Sequence, residues 1–280
     1  MADSVKLKCG VIENGQVVDF AAVAESLLVL LKRNKIKHKK VAFALNSDSV
    51  ITKRLRFDEG LTESQIHDEL MLDFDKHVSY PLEETFYDFE LQTNSENTGA
   101  TKQEVTFIAA HKDQIEQYQQ LAKLCCLTLE VIDIDSYALQ RYVEIFYPED
   151  KSQCWALICL NHKRFKLHIF DDVHIYATEH KSVSVELDDG DYLNTLSAWL
   201  MRNLQMFEVS NPGKNLDKVV LYGDRVEIDN LSQIFRETMQ LEVLILDPFI
   251  KLSNSNQTTK VKHKASYLLV VGLATRSEVS

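Results

Sequence analysis

Glycine is scarce in this sequence: eight residues in a chain of 280, no two of them adjacent, against a usual share of about 7%. Glycine-rich turns let backbone N–H groups close on phosphates, so a nucleotide cradle is hard to build here. Cysteine offers no framework either. Residues 9, 125, 126, 154 and 159 form an odd set without a Cys-x-x-Cys pair, which argues against a disulfide scaffold and a structural zinc site and fits a reducing cytoplasm. The start has no apolar stretch of the roughly 7 to 15 residues that a signal peptide needs. No window approaches the roughly 18 apolar residues of a membrane span. A soluble protein without direct membrane insertion is expected, any membrane association coming through a partner. Basic charge is short too: 31 Lys and Arg stand against 42 Asp and Glu, a formal net charge of -11. Nucleic-acid binding needs Lys and Arg gathered in a patch, and the one basic run, Lys32 to Lys40, falls at a helix end where cations complement the dipole. No nucleic-acid partner is expected. No Gly-x-Ser-x-Gly elbow is present.

What is there is apolar content of 45%, enough for two compact units of roughly 100 to 150 residues. In the second half Cys154 to Leu160, Phe165 to Phe170 and His174 to Thr178 read as three strands, joined by tight turns at Asn161-His162-Lys163 and Asp171-Asp172. Asp191 can cap a helix carrying Leu193, Leu196, Leu200, Leu204 and Phe207 on one face. A strand Lys218 to Tyr222, a helix about Asp229 to Met239, a strand about Glu242 to Leu246 and a helix about His263 to Thr275 complete the order βββαβαβα. Three antiparallel strands followed by two α/β crossovers give a mixed sheet with helices on its faces, the order of a ribonuclease-H-like fold.

The first half repeats the later part of that order: helix Phe20 to Asn34, strand Val41 to Leu45, helix Lys112 to Leu124, strand Leu129 to Ile132, helix Ser136 to Phe146. Most of the leading meander is missing, only Leu7 to Ile12 and Gln16 to Val18 remaining as strand candidates. Between Asn46 and Lys102 sits an insertion. Val50 to Phe57 reads as a strand, Thr62 with Gln65 as a capping box for a helix bearing Ile66, Leu70 and Phe74, and Thr85 to Leu91 as a strand. A polar loop, Asn94 to Lys102, leads to a strand Glu104 to Ala109. Two such halves in tandem describe an actin-like α/β architecture, the first half truncated at its N-terminus. The expected divisions are 1–46 with 103–150, an inserted βαββ subdomain at 47–102, and 151–280.

The insertion carries specific text: Val50-Ile51-Thr52-Lys53, then Leu61-Thr62-Glu63 opening a helix, then Tyr80-Pro81-Leu82-Glu83-Glu84 leading to Asp88-Phe89. Farther on come Asp133-Ile134-Asp135-Ser136-Tyr137-Ala138-Leu139-Gln140-Arg141, Leu246-Asp247-Pro248-Phe249 and Val271-Gly272-Leu273-Ala274-Thr275-Arg276. Together they resemble the PilM family of type IV pilus assembly, over about residues 8 to 276. The resemblance implies a cytoplasmic protein related to FtsA, peripheral to the bacterial inner membrane. It implies ATP binding between two actin-like halves, and capture of the short, partly apolar tail of the inner-membrane protein PilN in a groove bordered by the insertion. The pilus motor ATPase is a further candidate partner. An extended peptide is held by apolar anchors and backbone hydrogen bonds; the candidates here are Val50, Ile51, Thr52, Leu55, Phe57, Phe74 and Tyr80, each of which is also readable as core.

The phosphate-binding text has eroded. The first-half hairpin is not evident, either natively absent or removed. In the second half the resemblance would place an aspartate, an apolar residue and a glycine at Cys159, Leu160 and Asn161, and neither the aspartate nor the glycine is there. The adenine-side loop Val220 to Arg225 keeps one glycine, Gly223, where the family usually has a pair. With no residue left for a metal or for water activation, the expectation is a docking scaffold with a degenerate nucleotide site, no catalytic residues and no cofactor. The alternative is an ATP-binding member, with magnesium, whose nucleotide state gates docking.

Other constellations have plain readings beside the pointed ones. His162, His168, His174 and His180 recur every six residues, but a two-residue turn at Asp171-Asp172 would pair His168 with Ile175 and turn His168 and His174 to opposite faces; no metal site is expected. Asp133 and Asp135 stand at a strand end where carboxylates can hold magnesium, or Asp135 is the helix N-cap. Cys125 and Cys126 read as buried, and the Tyr192, Leu196, Trp199, Leu200 stripe as core.

Overall fold

A computed structural model describes residues 2–13, 15–92, 102–150, 153–161, 164–171, 174–183, 188–224, 226, 236, 242–250 and 264–276. The chain divides into two compact units, Val5–Ile132 and Asp133–Ser280 with Met1–Ser4.

In the N-terminal unit a short antiparallel ladder, β1 (Ile12–Glu13) with β2 (Gln16–Val17), comes first. Helix α1 (Phe20–Arg33) follows, its first turn closed by Asp19, whose carboxylate accepts from the Ala22 N–H at 2.9 Å. Next come β3 (Lys40–Leu45), β4 (Val50–Asp58), α2 (Glu63–Leu72), α3 (Phe74–His77), β5 (Thr85–Gln92), β6 (Lys102–His111), α4 (Lys112–Leu124) and β7 (Thr128–Ile134). Strands β3 and β7 pair with each other. Val11, Val23 and Leu121 are buried between α1 and α4, with Phe43 and Tyr118 packed against them at a ring separation of 5.0 Å.

Scarcity of glycine leaves its mark where helices end. After α1 the Ile36 N–H donates to Leu31 O (2.9 Å), and after α4 the Leu127 N–H donates to Ala122 O (2.8 Å). This closure holds the residue before it in the left-handed region, a position that glycine usually fills. Here Lys35 (φ 53) and Cys126 (φ 52) fill it, and Cys126 is exposed, not buried as its helical reading suggested. A side chain in this region costs about 1–2 kcal/mol, partly offset by the greater unfolded-state freedom of glycine. Lys35→Gly should therefore raise stability by about 0.5–1 kcal/mol, read as a higher urea midpoint at unchanged slope.

The inserted subdomain is a three-stranded antiparallel sheet ordered β4-β6-β5, with β6 in the middle. The insertion therefore runs through His111 and does not end at 102, because β6 is hydrogen-bonded on both sides by strands of the insertion. Its helix begins as the local signals specify: Thr62 Oγ1 accepts from the Gln65 N–H, and Gln65 Oε1 accepts from the Thr62 N–H at 2.9 Å. Ile66, Leu70 and Phe74 are buried against Val105, Phe107 and Ala109.

The C-terminal unit begins with α5 (Asp135–Phe146), grouped by sequence with the first half but packed here on the last helix. Then come β8 (Trp155–Leu160), β9 (Arg164–Phe170), β10 (Ile175–Ser182), α6 (Asp189–Ser210), β11 (Lys218–Gly223) and β12 (Glu242–Ile245). A 3-10 turn, Lys264–Tyr267, leads into α7 (Leu268–Ala274), where one helix had been expected. The sheet order is β10-β9-β8-β11-β12, with β9 antiparallel to its neighbours and β11 parallel to β8 and β12. This is the mixed sheet anticipated from the meander and crossovers. The expected helix Asp229–Met239 lies outside the described residues apart from Arg236, as do the tips of both hairpins and the polar stretches 94–101 and 254–259.

Two local assignments change. The β9–β10 register pairs Phe170 with Ile175 and His168 with Thr178, with an irregularity between Ile175 and Ala177. Asp171 decides this: its N–H donates to His174 O (3.0 Å) and its carboxylate accepts from the His174 N–H (2.7 Å), so the connection closes around 171–174. Helix α6 is capped by Asp188, which accepts from the Asp191 N–H at 2.8 Å, one turn before the expected cap Asp191. Tyr192, Leu196 and Leu200 are core.

Candidate functional site

Along β4 the side chains alternate. Ile51, Leu55 and Phe57 face α2 and α3, and Phe57 (9% exposed) and Phe74 (4%) are core residues of the insertion. They hold the sheet to its helices and present nothing to a peptide. Val50 and Thr52, of opposite parity, lie on the face that α2 and α3 leave uncovered. Across the three strands the register lines up Val50, buried Ala110 and Phe86 in one row, and Thr52, Ile108 and Asp88 in the next. Next along the same face come Arg54, Thr106 and Glu90, then Arg56 with Glu104, whose side chains pair at 3.0 Å. Tyr80 is 37% exposed and stands edge-on to His111, ring centroids 5.1 Å apart. The face is thus apolar at the Val50–Phe86 end and charged at the other. Phe86, 42% exposed with the Lys112 ammonium 5.8 Å from its ring centre, was missed from sequence, although the alternation Phe86, Asp88, Glu90 against Tyr87, Phe89, Leu91 carried the signal.

Beneath this sheet His77 packs on Phe107, and its ring is held below its usual pKa, first by burial and then by the Lys53 charge. A histidine depressed in the folded state contributes stability that is complete above its unfolded value of about 6.5 and is lost as pH falls through the folded value. The insertion should therefore loosen below about pH 6.5, read by amide exchange of β6, and His77→Gln should flatten that dependence.

The second candidate region is the carboxyl end of β8 and β11, where open α/β sheets place ligands. Here the strands close on each other. Gly223 (φ +111) sits opposite Leu160, and a Cβ on it would stand 2.4 Å from Leu160 O and 3.0 Å from the Asn161 side-chain amide. Asn161, with its amide nitrogen turned to face acceptors, donates from its side chain to Asp224 Oδ1 (3.2 Å) and Leu160 O (3.1 Å), and its backbone carbonyl accepts from the Tyr192 hydroxyl at 3.1 Å. Enclosure raises the Cys159 thiol to about 12 and lifts the Tyr222 phenol well above its usual value, so both are neutral. Beside them, paired across β8 and β9 with Cys159, Lys166 reaches the carboxylate of Asp135 at 2.6 Å; the two side chains are 8% and 11% exposed.

Both aspartates of the 133–141 segment are thus engaged. Asp135 is the first residue of α5, not its N-cap, which is Ile134. Asp133 accepts from the Ile134 N–H (2.8 Å) and Arg141 (2.8 Å), with Arg276 at 3.1 Å. Arg141 also donates to Gly272 O at 3.2 Å, tying α5 to α7. Among the described residues no three His, Cys, Asp or Glu side chains gather in a metal-binding arrangement. His168 is buried, its Nδ1 3.3 Å from Thr178 Oγ1. No helix among the described residues is long and apolar enough to cross a membrane.

Known proteins share this architecture. A solved structure described as a PilM-PilN type IV pilus biogenesis complex matches with a TM-score of 0.80 at 17% identity, covering 98% of this chain and 90% of that one. MreB5 of Spiroplasma citri bound to ADP matches with a TM-score of 0.51 at 10% identity, over 96% of this chain and 78% of that one. The ethanolamine utilization protein EutJ from Carboxydothermus hydrogenoformans gives 0.50 at 9%, over 94% and 77%. The fold is therefore actin-like. The sequence profile described as type IV pilus assembly protein PilM matches residues 1–183 and 191–278. The inserted subdomain and the helix-entry segment Asp133 to Arg141 lie within that match, and the chain belongs to the PilM family of type IV pilus assembly proteins.

Proposed function

We propose that this protein is a cytoplasmic scaffold of type IV pilus assembly that docks the amino-terminal tail of a PilN-like inner-membrane protein, linking the motor side to the membrane platform. The observation that carries this reading is the likeness to the PilM-PilN complex over 98% of the chain. The uncovered face of the inserted sheet supports it. Val50, Phe86 and Ile108 offer apolar contacts, Thr52 and Asp88 polar ones, and β4 and β5 are the outer strands of that sheet. Such a surface suits an extended, partly apolar segment. Tyr80 is the third of the original candidates, with Val50 and Thr52, that remains available.

The reading includes no nucleotide turnover. The residues at the β8 and β11 ends do not suit a magnesium nucleotide: a neutral thiol stands where a metal-holding carboxylate would be needed, Gly223 is closed against Leu160, and an internal ammonium already satisfies Asp135. Two titrations test the proposal. A labelled peptide from the neighbouring PilN-like gene should bind with a Kd below ~100 μM in fluorescence anisotropy, and Phe86→Lys should weaken it about tenfold by burying a second cation beside Lys112 at the apolar end. Mg-ATP should leave the melting temperature unchanged, since a ligand of the folded state raises stability as RT ln(1 + [L]/Kd). No peptide binding, or a saturating shift with Mg-ATP, would overturn the corresponding half.

A further inference from the structure

The N-terminal unit carries a second surface, unrelated to the inserted sheet. Helix α1 turns Val23 and Ala24 inward and leaves Leu28 and Val29 nearly half exposed; Leu124 at the end of α4 and Ile36 after α1 are equally so. These residues line two hollows of about 530 and 430 Å³ that share Leu28 and Lys32 and so form one groove. Phe20, Ala24 and Leu124 are among the lining of its first part, and Leu31, Cys125 and Leu127 among that of its second. The groove follows the 14 residues of α1, a length of about 21 Å at 1.5 Å per residue.

Charge along the groove is one-sided. Its first part includes Glu25, whereas its second is rimmed by Lys32, Lys35, Lys37, Lys39 and His38. Among the described residues no carboxylate pairs with those four lysines, although the adjacent Lys40 is held by Glu130 at 2.5 Å. This is a basic rim on a chain whose net charge is -11. One of its lysines is also strained: Lys35 occupies the left-handed region (φ 53). Glycine would close the helix there at lower cost, and strain of this kind collects at sites of function.

We propose that this groove docks an amphipathic helix of a partner protein, with apolar side chains at i, i+3/i+4 and i+7 and carboxylates gathered at the end that meets Lys35 to Lys39. Hollows between side chains spaced along α1 accept knobs of the same helical spacing. The basic rim selects carboxylates and orients the helix along the groove.

The test uses the full chain and three labelled synthetic helices with one apolar face and polar faces of glutamate, glutamine or lysine. The glutamate helix should bind saturably by anisotropy and about tenfold more tightly than the lysine helix, with affinity falling as salt rises. Leu28→Glu, at an exposed site that leaves the fold intact by circular dichroism, should weaken it about tenfold. Lys37→Glu with Lys39→Glu should weaken it about fivefold and reduce the salt dependence. Failure of the glutamate helix to saturate by ~500 μM, equal binding of the lysine helix, or indifference to Leu28→Glu would overturn the proposal. So would either of two other occupants revealed by Leu28→Glu: lost co-sedimentation with phosphatidylglycerol vesicles, or conversion of a dimer to a monomer in analytical ultracentrifugation.

Discussion

Gly272→Ala is expected to destabilise the C-terminal unit by about 3 kcal/mol, the upper part of the usual range for overpacking, lowering its melting temperature by about 6–10 °C. Position 272 lies in α7 facing α5, and a Cβ there would stand 2.0 Å from Ala138 O, 2.8 Å from Ala138 C and 3.2 Å from Tyr142 Cβ. The first two atoms are backbone, so no side chain can rotate away. The helices must separate, which opens contacts around Ala138, Leu139 and Tyr142 and pulls Gly272 O from the Arg141 guanidinium. Val270→Ala, at a residue 56% exposed on the same helix, should change stability by less than about 0.5 kcal/mol. Equal effects of the two variants in calorimetry would show that α5 and α7 do not meet this closely.

Lys166→Met should cost about 3–5 kcal/mol, because it strands the Asp135 carboxylate in a buried site with its ammonium partner gone. The loss is expected to depend on the pair. Lys166→Met combined with Asp135→Leu should recover most of it, since a buried ion pair replaced by apolar groups of similar volume is often neutral. Urea denaturation of the two single variants and the double gives the coupling directly. Additive losses would mean that the 2.6 Å contact contributes little and that each residue matters through other neighbours.

Much of the framework was legible because its determinants are local. The capping box Thr62 with Gln65, the boundaries of α4 and the three strands of the meander follow from periodicity and neighbouring turn residues. Where several local solutions exist, sequence chose less well. Asp188 and Asp191 are both good caps, and the helix took the earlier one. A two-residue turn at Asp171-Asp172 was reasonable until the Asp171 carboxylate bound the His174 N–H and moved the register.

The candidate site divides the same way. Alternation along β4 separates Val50 and Thr52 from Ile51, Leu55 and Phe57, but not which set is covered; α2 and α3, docking through Ile66, Leu70 and Phe74, decided that and buried two proposed anchors. That Cys159 and Asn161 stand where the resemblance would place an aspartate and a glycine was visible in the sequence. What stands beside them was not, because Lys166 and Asp135 are 31 residues apart.

By itself the sequence determined the order of elements, the family text in the insertion and the poverty of glycine. These are properties of short segments, fixed by backbone preference and the spacing of apolar residues. Tertiary structure alone decided which face of the inserted sheet stays open, why Gly272 must be glycine, and that Lys166 neutralises Asp135. Each of those depends on atoms distant in sequence meeting at a few ångströms, where burial and close contact set the free energy.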